Sequence, residues 1–336
     1  MIKIDSLIEQ KAREIDFSGV VYLENNTGTV YSSAHGYANR ADRLVNKVET
    51  KFGIASGCKL FTAIAICRLV QDGKLSFESK LQEVLEFSFP NFDISVTIHH
   101  LLTHTSGIPD YFDEEVMEDY EDLWKSRPMY GIKRLQDFLP LFQQADMMFS
   151  PGERFHYNNA GFILLGLIVE QITGKSFTHY IEESIFLPSD MRGSGYFSLD
   201  SLPANTATGY IDNDDGTWRS NIYSIPIKGG ADGGAFITAP DMAKLWKALM
   251  EHRLLNEEMT TLLLTPHVEV DEEDNYGYGI WIEKQNDNIV KYHIMGYDPG
   301  VSFASGYYPA SGNILVIPSN KAAGPHKVMA AVEELL

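Results

Sequence analysis

The stretch from Phe52 to Val70 constrains the fold more than any other part of the chain, because it predicts a helix buried on most of its faces. Apolar residues fill the segment from Leu60 onward, with only two polar interruptions, and the small residues Ser56 and Gly57 come before it. Apolar side chains on most faces are typical of a helix inside a large core. We therefore expect a central helix that begins near Ser56, with the rest of the chain packed around it.

Ser56 and Lys59 form the first candidate site. A serine at a helix start lies among free backbone N–H groups and the positive end of the helix dipole, which favour an oxyanion. Lys59 lies three positions later and shares a helix face with Ser56. A hydroxyl beside an amine in apolar surroundings makes an activated serine nucleophile. The alternative is a serine that only caps the helix and a lysine whose side chain reaches solvent. Because the helix is apolar on most faces, Lys59 would have difficulty reaching solvent.

Composition limits the classes of function. The chain has 336 residues, of which 44% are hydrophobic, and can bury a large core. Its formal net charge of −19 argues against nucleic-acid partners and anionic membrane surfaces. We interpret the acidic stretches 110–122 and 271–274 as solvated faces. No run of eighteen apolar residues and no apolar signal region occurs, so we expect a cytoplasmic protein without a membrane anchor.

Two features that invite other chemistry have simpler explanations. Cys58 and Cys67 lie nine residues apart on one predicted helix, about 13 Å along its axis and beyond disulfide reach. We expect both thiols to be packing residues in a reducing compartment. His99, His100 and His104 suggest zinc by their spacing, but no HExxH glutamate or cysteine pair accompanies them. We predict no metal and no cofactor.

The order of predicted elements indicates an α/β (α+β) fold. Val- and Tyr-rich strands joined by a turn at 25–28 follow the first helix, and four strand-like segments begin after residue 276. We expect one antiparallel sheet built from both ends of the chain, flanked by N- and C-terminal helices, with an inserted all-helical domain. The predicted sheet domain comprises residues 1–55 and 230–336, and the mainly helical domain comprises 56–229, with the active site at their interface.

Several motifs give the chain a specific resemblance. They occur in a characteristic order that covers most of the sequence, apart from the acidic stretch after residue 109: GYANR, SGCK, HHLLTHTSGIPDY, PGERFHYNNAG, GGADGGAF, YGYGIW and GYDPG. The chain resembles the serine β-lactamase/penicillin-binding-protein superfamily, in the class C-like branch with D-aminopeptidases and esterases.

The resemblance implies roles for individual residues. Ser56 would attack a carbonyl and form a covalent acyl-enzyme that water then cleaves. Tyr157 and Asn159 match the Tyr-x-Asn motif of the family. Lys59 and Tyr157 would share the proton transfers, and which of them deprotonates Ser56 stays open. Asn159 would hydrogen-bond Lys59 and the substrate, and the backbone N–H groups of Ser56 and Tyr297 would form the oxyanion hole.

The third motif of the family is altered here. Relatives carry Lys-Thr-Gly or His-x-Gly, with the glycine three residues before a Pro-Gly pair. Counting from Pro299 makes the glycine Gly296 and puts Ile294 at the cationic position, with His293 one residue too early. A regular strand aims Ile294 at the site and His293 away from it, whereas a β-bulge would turn His293 inward. We favour the regular strand and treat Ile294, Gly296 and His293 as candidate substrate-binding residues.

These observations predict a serine hydrolase that cleaves an amide or ester in a small-molecule or peptide substrate. Because the cation that holds a substrate carboxylate is missing, esterase, D-aminopeptidase or DD-peptidase-like activity on a neutral or cationic substrate is favoured. The alternative is a true class C-like β-lactamase or penicillin-binding carboxypeptidase. An alternative from another class is a non-catalytic binding or sensor protein that keeps the fold. The sequence leaves the oligomeric state open.

Overall fold

The computed structural model describes residues 2–336, with side chains described from Ile4 onward. Its helices are α1 (Ile2–Glu14), α2 (Lys59–Gln71), α3 (Leu81–Val84), α4 (Ile98–Leu102), α5 (Leu123–Ser126), α6 (Asn159–Thr173), α7 (Phe177–Ile181), α8 (Ala239–Met250), α9 (Glu257–Leu263) and α10 (Pro325–Glu333). Short 3₁₀ turns occupy Ala55–Cys58, Tyr120–Asp122, Met129–Gly131, Leu135–Asp137 and Leu139–Leu141, and a π turn occupies Glu182–Phe186.

The strands are β1 (Gly19–Asn25), β2 (Gly28–His35), β3 (Tyr37–Asn39), β4 (Leu44–Val45), β5 (Phe52–Gly53), β6 (Tyr210–Asp212), β7 (Trp218–Ser220), β8 (Phe236–Ile237), β9 (Val268–Glu269), β10 (Asp274–Tyr276), β11 (Trp281–Gln285), β12 (Asn288–Asp298), β13 (Val301–Tyr308) and β14 (Asn313–Ser319). Eight of them form one antiparallel sheet in the order β2-β1-β14-β13-β12-β11-β10-β9. The predicted hairpin is confirmed, because β1 and β2 pair directly across the turn between Asn25 and Gly28.

Both faces of the sheet are covered. On one face, α1 and α10 pack through a small apolar cluster that includes Ile8, Leu315 and Val328. On the other face lies the main core, which contains most of α2, α6 and α8. The residues of α2 from Lys59 to Cys67 are all buried, so the predicted central helix is confirmed. The predicted fold class, an antiparallel sheet with helices at both chain ends and between them, is also confirmed.

Some details of the prediction are wrong. The inserted region is not purely helical, since it contains the β6–β7 hairpin and many short 3₁₀ turns. The segment from Thr97 to Gly107 has the sequence pattern of a helix capped by Thr97 and stopped by Gly107, but the helix, α4, ends at Leu102. Its capping by Thr97 is correct, but His104 and Gly107 take positive φ values of 58° and 69°, and residues in the left-handed region cannot continue a right-handed helix. The boundaries of the two domains stay a prediction.

The helices were also compared with the length of a membrane span. Among residues 2–336, no single helix is long and apolar enough to cross a membrane. The pair formed by α6 and the segment Phe177–Phe186 reaches that length and composition only when both are counted together across a 78° bend.

Candidate active site

Ser56 lies in the tight turn that leads into α2. The turn begins at Ala55, whose φ of 44° is rare for a residue with a Cβ atom. Local strain of this kind is concentrated at functional sites. Ser56 is half-buried, whereas its neighbours Ala55, Gly57 and Cys58 are buried. The turn therefore presents the Ser56 side chain at the wall of a cavity, among the first N–H groups of the helical segment.

The Lys59 side chain is buried beside Ser56, with a fractional exposure of 2%. Its Nζ lies 2.9 Å from Ser56 Oγ, 2.8 Å from Asn159 Oδ1 and 2.7 Å from the backbone oxygen of Asp232. Three acceptors match the three N–H donors of an ammonium group. In its amine form, Lys59 can instead accept the Ser56 hydroxyl proton. The alternative of a lysine that reaches solvent is wrong.

Tyr157 lies on the other side of the Lys59 amine. The Nζ atom of Lys59 is 4.9 Å from the centre of the Tyr157 ring, which packs between the rings of His104 and Trp281. Burial, followed by the negative charge of Glu114, raises the pKa of Tyr157 well above its ordinary value, and a contact with the Ser56 side chain lowers it. The Tyr157 phenol is therefore protonated in the site without substrate and has a proton to donate.

Asn159 is fixed by the start of α6. The Asp110 carboxylate accepts hydrogen bonds from the backbone N–H groups of Asn159 and Ala160 at 2.7 and 2.9 Å. It also accepts one from Asn159 Nδ2 at 3.3 Å. Because the nitrogen of the side-chain amide faces Asp110, its oxygen must face Lys59. Burial, which outweighs these hydrogen bonds, raises the pKa of Asp110 to about 7.

The glycine-rich segment 229–236 supplies a partner that the sequence did not reveal. Besides the Asp232 oxygen that accepts from Lys59, the oxygen of Ala231 accepts from Thr62, and that of Ala235 accepts from the N–H of Ile54. The Asp232 carboxylate accepts a hydrogen bond from Tyr111, and burial raises its pKa. The cluster of glycines before α8 was the only sequence signal for this segment, because the position of a backbone carbonyl group cannot be inferred from the residue type.

Gly296 brings β12 against the Ser56 turn. A Cβ atom at this position would lie 2.1 Å from the oxygen of Ile54 and 2.9 Å from the backbone nitrogen of Ser56, so only glycine fits. The next residue, Tyr297, lines the same cavity as Ser56. This close approach suits the predicted oxyanion hole of the Ser56 and Tyr297 N–H groups, which remains a prediction.

The strand that carries the third motif is regular, but its side chains do not lie where the sequence predicted. Pairing between β12 and β13 continues without a bulge from Tyr292 to Asp298. Ile294 is 3% exposed and lies in the main core, so the expectation that it forms a wall of the site is wrong. Met295, the next residue, lines the cavity instead. The His293 ring lies beside Trp281 and has no described hydrogen bond with Ser56 or Tyr157.

The cavity in front of Ser56 has a volume of about 770 Å³ and an acidic wall. Two of its carboxylates are paired, Glu121 with Arg219 and Asp212 with Lys321. Asp298 also lines the cavity, and no hydrogen bond or ion pair of its side chain occurs in the described part of the chain. Burial first, then the charges of neighbouring Asp232 and Glu114, raises the pKa of Asp298 to about 8.

The thiols and the three neighbouring histidines have structural surroundings. Cys58 and Cys67 are both free and buried, and burial raises the pKa of the Cys58 thiol to about 12. His99 contacts the hydroxyl of Tyr278, and His100 closes the cap of α4. His104 accepts from the N–H of Asn158 through Nδ1, and its Nε2 contacts Tyr276.

This arrangement can be compared with known proteins. The family model described as Beta-lactamase matches residues 4–335. The chain belongs to the beta-lactamase family. Within that family it is 56% identical to the penicillin binding protein from Bacillus halodurans, with a TM-score of 0.95 over 98% of this chain and 100% of that one. It is 28% identical to Penicillin-binding protein 4* of Bacillus subtilis, over 95% of this chain and 71% of the relative.

A solved structure with lower sequence identity has the same fold. The D-amino acid amidase from Ochrobactrum anthropi SV3 has a TM-score of 0.82 over 99% of this chain and 97% of that one. Sequence identity is 21%, so this likeness concerns the fold alone.

Proposed function

We propose that this beta-lactamase-family chain is a serine hydrolase that cleaves an amide or ester through a covalent acyl-enzyme on Ser56. The observation that carries the proposal is the buried Lys59 amine, 2.9 Å from Ser56 Oγ. Hydrogen-bond contact between a nucleophile and a base, with the base oriented by a third group, is the geometry of nucleophilic catalysis. Here the third group is Asn159.

The geometry supports a division of the proton transfers. Lys59 in its amine form accepts the Ser56 proton as Oγ attacks the substrate carbonyl, because the Lys59 nitrogen already contacts Oγ. The N–H groups of Ser56 and Tyr297 hold the developing oxyanion. Tyr157, kept protonated by burial, donates its proton to the leaving group, which departs as an amine or alcohol, and takes back a proton from the Lys59 ammonium. Lys59, an amine again, then accepts a proton from the water that attacks the acyl-enzyme and returns it to Ser56 Oγ as the acid is released.

The charge of the cavity supports a neutral or cationic substrate. Asp298 and Glu114 line the cavity, and Ile294, at the sequence position where the family resemblance implies a cation, is apolar and buried in the core. A substrate ammonium would favour the ionised form of Asp298, whereas a substrate carboxylate would meet further negative charge. We therefore place the ammonium of an aminoacyl amide or ester beside Asp298. Penicillin acylation is the second candidate, favoured by the 56% identity to a penicillin binding protein.

Active-site labelling tests the chemistry. A fluorophosphonate should add to Ser56, as located by mass spectrometry of the digested protein, and Ser56→Ala should take no label at that position. The rate of turnover then ranks four test substrates: alanine p-nitroanilide, its N-acetyl derivative, a p-nitrophenyl ester and a chromogenic cephalosporin. A non-catalytic binding protein would leave every substrate intact, and a β-lactamase would turn over the cephalosporin best. Preference for the free amine over its N-acetyl derivative supports the cationic substrate.

A further inference from the structure

A second group of ionisable side chains lies outside the candidate active site, on three neighbouring strands. Asp274 is on β10, Glu283 on β11 and His293 on β12. One potential ligand atom from each residue lies within 4.8 Å of the other two. The strand register explains the cluster, because Asp274 pairs with Glu283 and Glu283 pairs with Lys291, two residues before His293 on the same face.

The His293 ring carries an unsatisfied atom in this cluster. The residue is 9% exposed, and its Nε2 is buried without a hydrogen-bond partner. The nearest carboxylate oxygen, Asp274 Oδ1, is 3.8 Å away, which is too far for a hydrogen bond. Buried polar atoms in proteins nearly always have a partner, so an imidazole nitrogen without one, facing two carboxylates, indicates a missing ligand.

The local charge indicates what that ligand is. The Lys291 ammonium contacts Glu283 at 2.7 Å and Glu333 at 2.9 Å. With Asp274, which lies near Glu283 and His293, the group contains three carboxylates and one ammonium. Two negative charges remain uncompensated, which a divalent cation would neutralise. Glu283 Oε2 faces Lys291, which leaves the second oxygen of that carboxylate for the ion.

We propose that Asp274, Glu283 and His293 form a binding site for one divalent transition-metal ion of the Zn²⁺ type. One imidazole and two carboxylates suit such ions, whereas Ca²⁺ and Mg²⁺ prefer oxygen ligands alone. Two ligand atoms of a tetrahedral Zn²⁺ ion, each about 2.1 Å from the metal, are about 3.4 Å apart. The ligand atoms, which all lie within 4.8 Å of one another, would therefore move together by about 1.4 Å at most when the ion binds. Water would complete the coordination.

The proposed metal site does not depend on the proposed hydrolase activity, but one tryptophan side chain contacts both the metal site and the candidate active site. Trp281 lies opposite His293 in the β11–β12 ladder, with their ring centres 6.3 Å apart. The Trp281 ring also stacks on Tyr157 of the candidate active site, with ring centres 6.4 Å apart. An ion at the site would link three strands at the edge of the sheet and fix the His293 ring against Trp281. Trp281 fluorescence therefore provides a readout of binding that needs no substrate.

The test uses the full chain after dialysis against EDTA. Titration with ZnCl₂, followed by calorimetry and by tryptophan fluorescence, should show one ion per chain, and Co²⁺ should give the visible absorption of a nitrogen- and oxygen-ligated ion. His293→Gln and Asp274→Asn should each weaken Zn²⁺ binding at least ~10-fold, the loss typical of groups that support a metal site. Glu272→Gln, which removes an exposed acid from the loop before Asp274, should bind Zn²⁺ like the natural chain.

Melting curves in EDTA establish that the variants are folded, and the partly exposed Asp274 offers a nearly isosteric change if His293→Gln unfolds. Zn²⁺ binding that is undetectable at ~1 mM, or that survives both substitutions, would overturn the proposal.

Discussion

The side-chain oxygen of Asn159 accepts a hydrogen bond from Lys59 Nζ at 2.8 Å, although the two residues are 100 positions apart in the chain. The nitrogen of the same amide faces Asp110, so the orientation of Asn159 is set by a residue that does not itself contact Ser56 in the described structure. Asp110 is thus a positioning residue, and its effect on hydrolysis should pass through Asn159 to Lys59.

Asp110→Asn should lower kcat about 10–100-fold with little change in KM, because a small displacement of a catalytic group can reduce the rate about 100-fold. An asparagine would turn N–H donors toward the start of α6, where the carboxylate now accepts two N–H groups. Steady-state kinetics on the best substrate measures the effect. Asp93→Asn, at an exposed turn, is the matched control and should leave kcat unchanged. Equal losses in both variants would contradict the positioning role.

Lys59→Ala and Tyr157→Phe should each remove most of kcat, and the double variant should be little slower than either single one. Groups that act as a unit in proton transfer give strongly non-additive losses. The Lys59 amine lies against the Tyr157 ring, which supports such a unit. The measurement is a double-mutant cycle in kcat/KM, and multiplicative losses would mean that the two side chains act separately.

Asp298→Asn should raise KM for an aminoacyl p-nitroanilide about 10-fold or more and leave KM for its N-acetyl derivative nearly unchanged. The reason is the lost attraction between the carboxylate and a substrate ammonium in a confined cavity. Asp287→Asn removes the same charge from an exposed hairpin turn and serves as the control. If KM rose equally for both substrates, Asp298 would have a structural role only, and the proposal that Ser56 is the nucleophile of a hydrolase would stand.

The same carboxyl should make stability depend on pH. The pKa of Asp298 is raised from 3.8 to about 8 in the folded protein, chiefly by burial. Between these values the folded state keeps a proton that the unfolded chain releases, so the contribution of Asp298 to stability is lost as pH rises through that range.

Asp298→Asn removes this dependence. We expect the free energy of unfolding of the variant, relative to the natural chain, to rise from pH 4 to pH 8 by at most about 5 kcal/mol, since the pKa difference is about four units and each unit corresponds to about 1.4 kcal/mol. Urea unfolding at both pH values measures it. A difference that is constant or falls with pH would contradict the raised pKa.

Gly296→Ala should lower the free energy of unfolding by about 1–3 kcal/mol, the range for overpacking, and abolish most labelling of Ser56. The added Cβ would lie 2.1 Å from the backbone oxygen of Ile54, which cannot move without displacing the Ser56 turn. Gly131→Ala is the control, because a Cβ there has no neighbour within 4 Å. Chemical denaturation and fluorophosphonate labelling check the pair, and similar behaviour of the two variants would contradict the steric argument.

Local sequence patterns were sufficient for much of this structure. The apolar run from Leu60 placed α2, and turn residues placed the β1–β2 hairpin, because each of these features depends on residues that are close together in the chain. The placement of Lys59 beside Ser56 followed from helical spacing alone. Predictions of this kind need no knowledge of the tertiary structure.

Features created by contacts between distant segments were not predictable in the same way. The backbone oxygen of Asp232 and the carboxylate of Asp110 reach the site only after three segments pack together. The alternation of β12 was expected to turn Ile294 toward the site, but Ile294 lies in the main core and Met295, which points to the opposite face of the strand, lines the cavity. The positive φ of Ala55 has no signal in the residue type at all.

The partners of the Lys59 amine come from the chain in the order Ser56, Asn159 and Asp232. During synthesis, the nucleophile therefore leaves the ribosome long before the last of these partners exists. A nascent or prematurely terminated chain that lacks the glycine-rich segment has its serine but lacks one of the groups that hold the lysine beside it. The reactivity of Ser56 is in this way tied to translation beyond the glycine-rich segment, and chains that end before it would lack the complete acyl-transfer site.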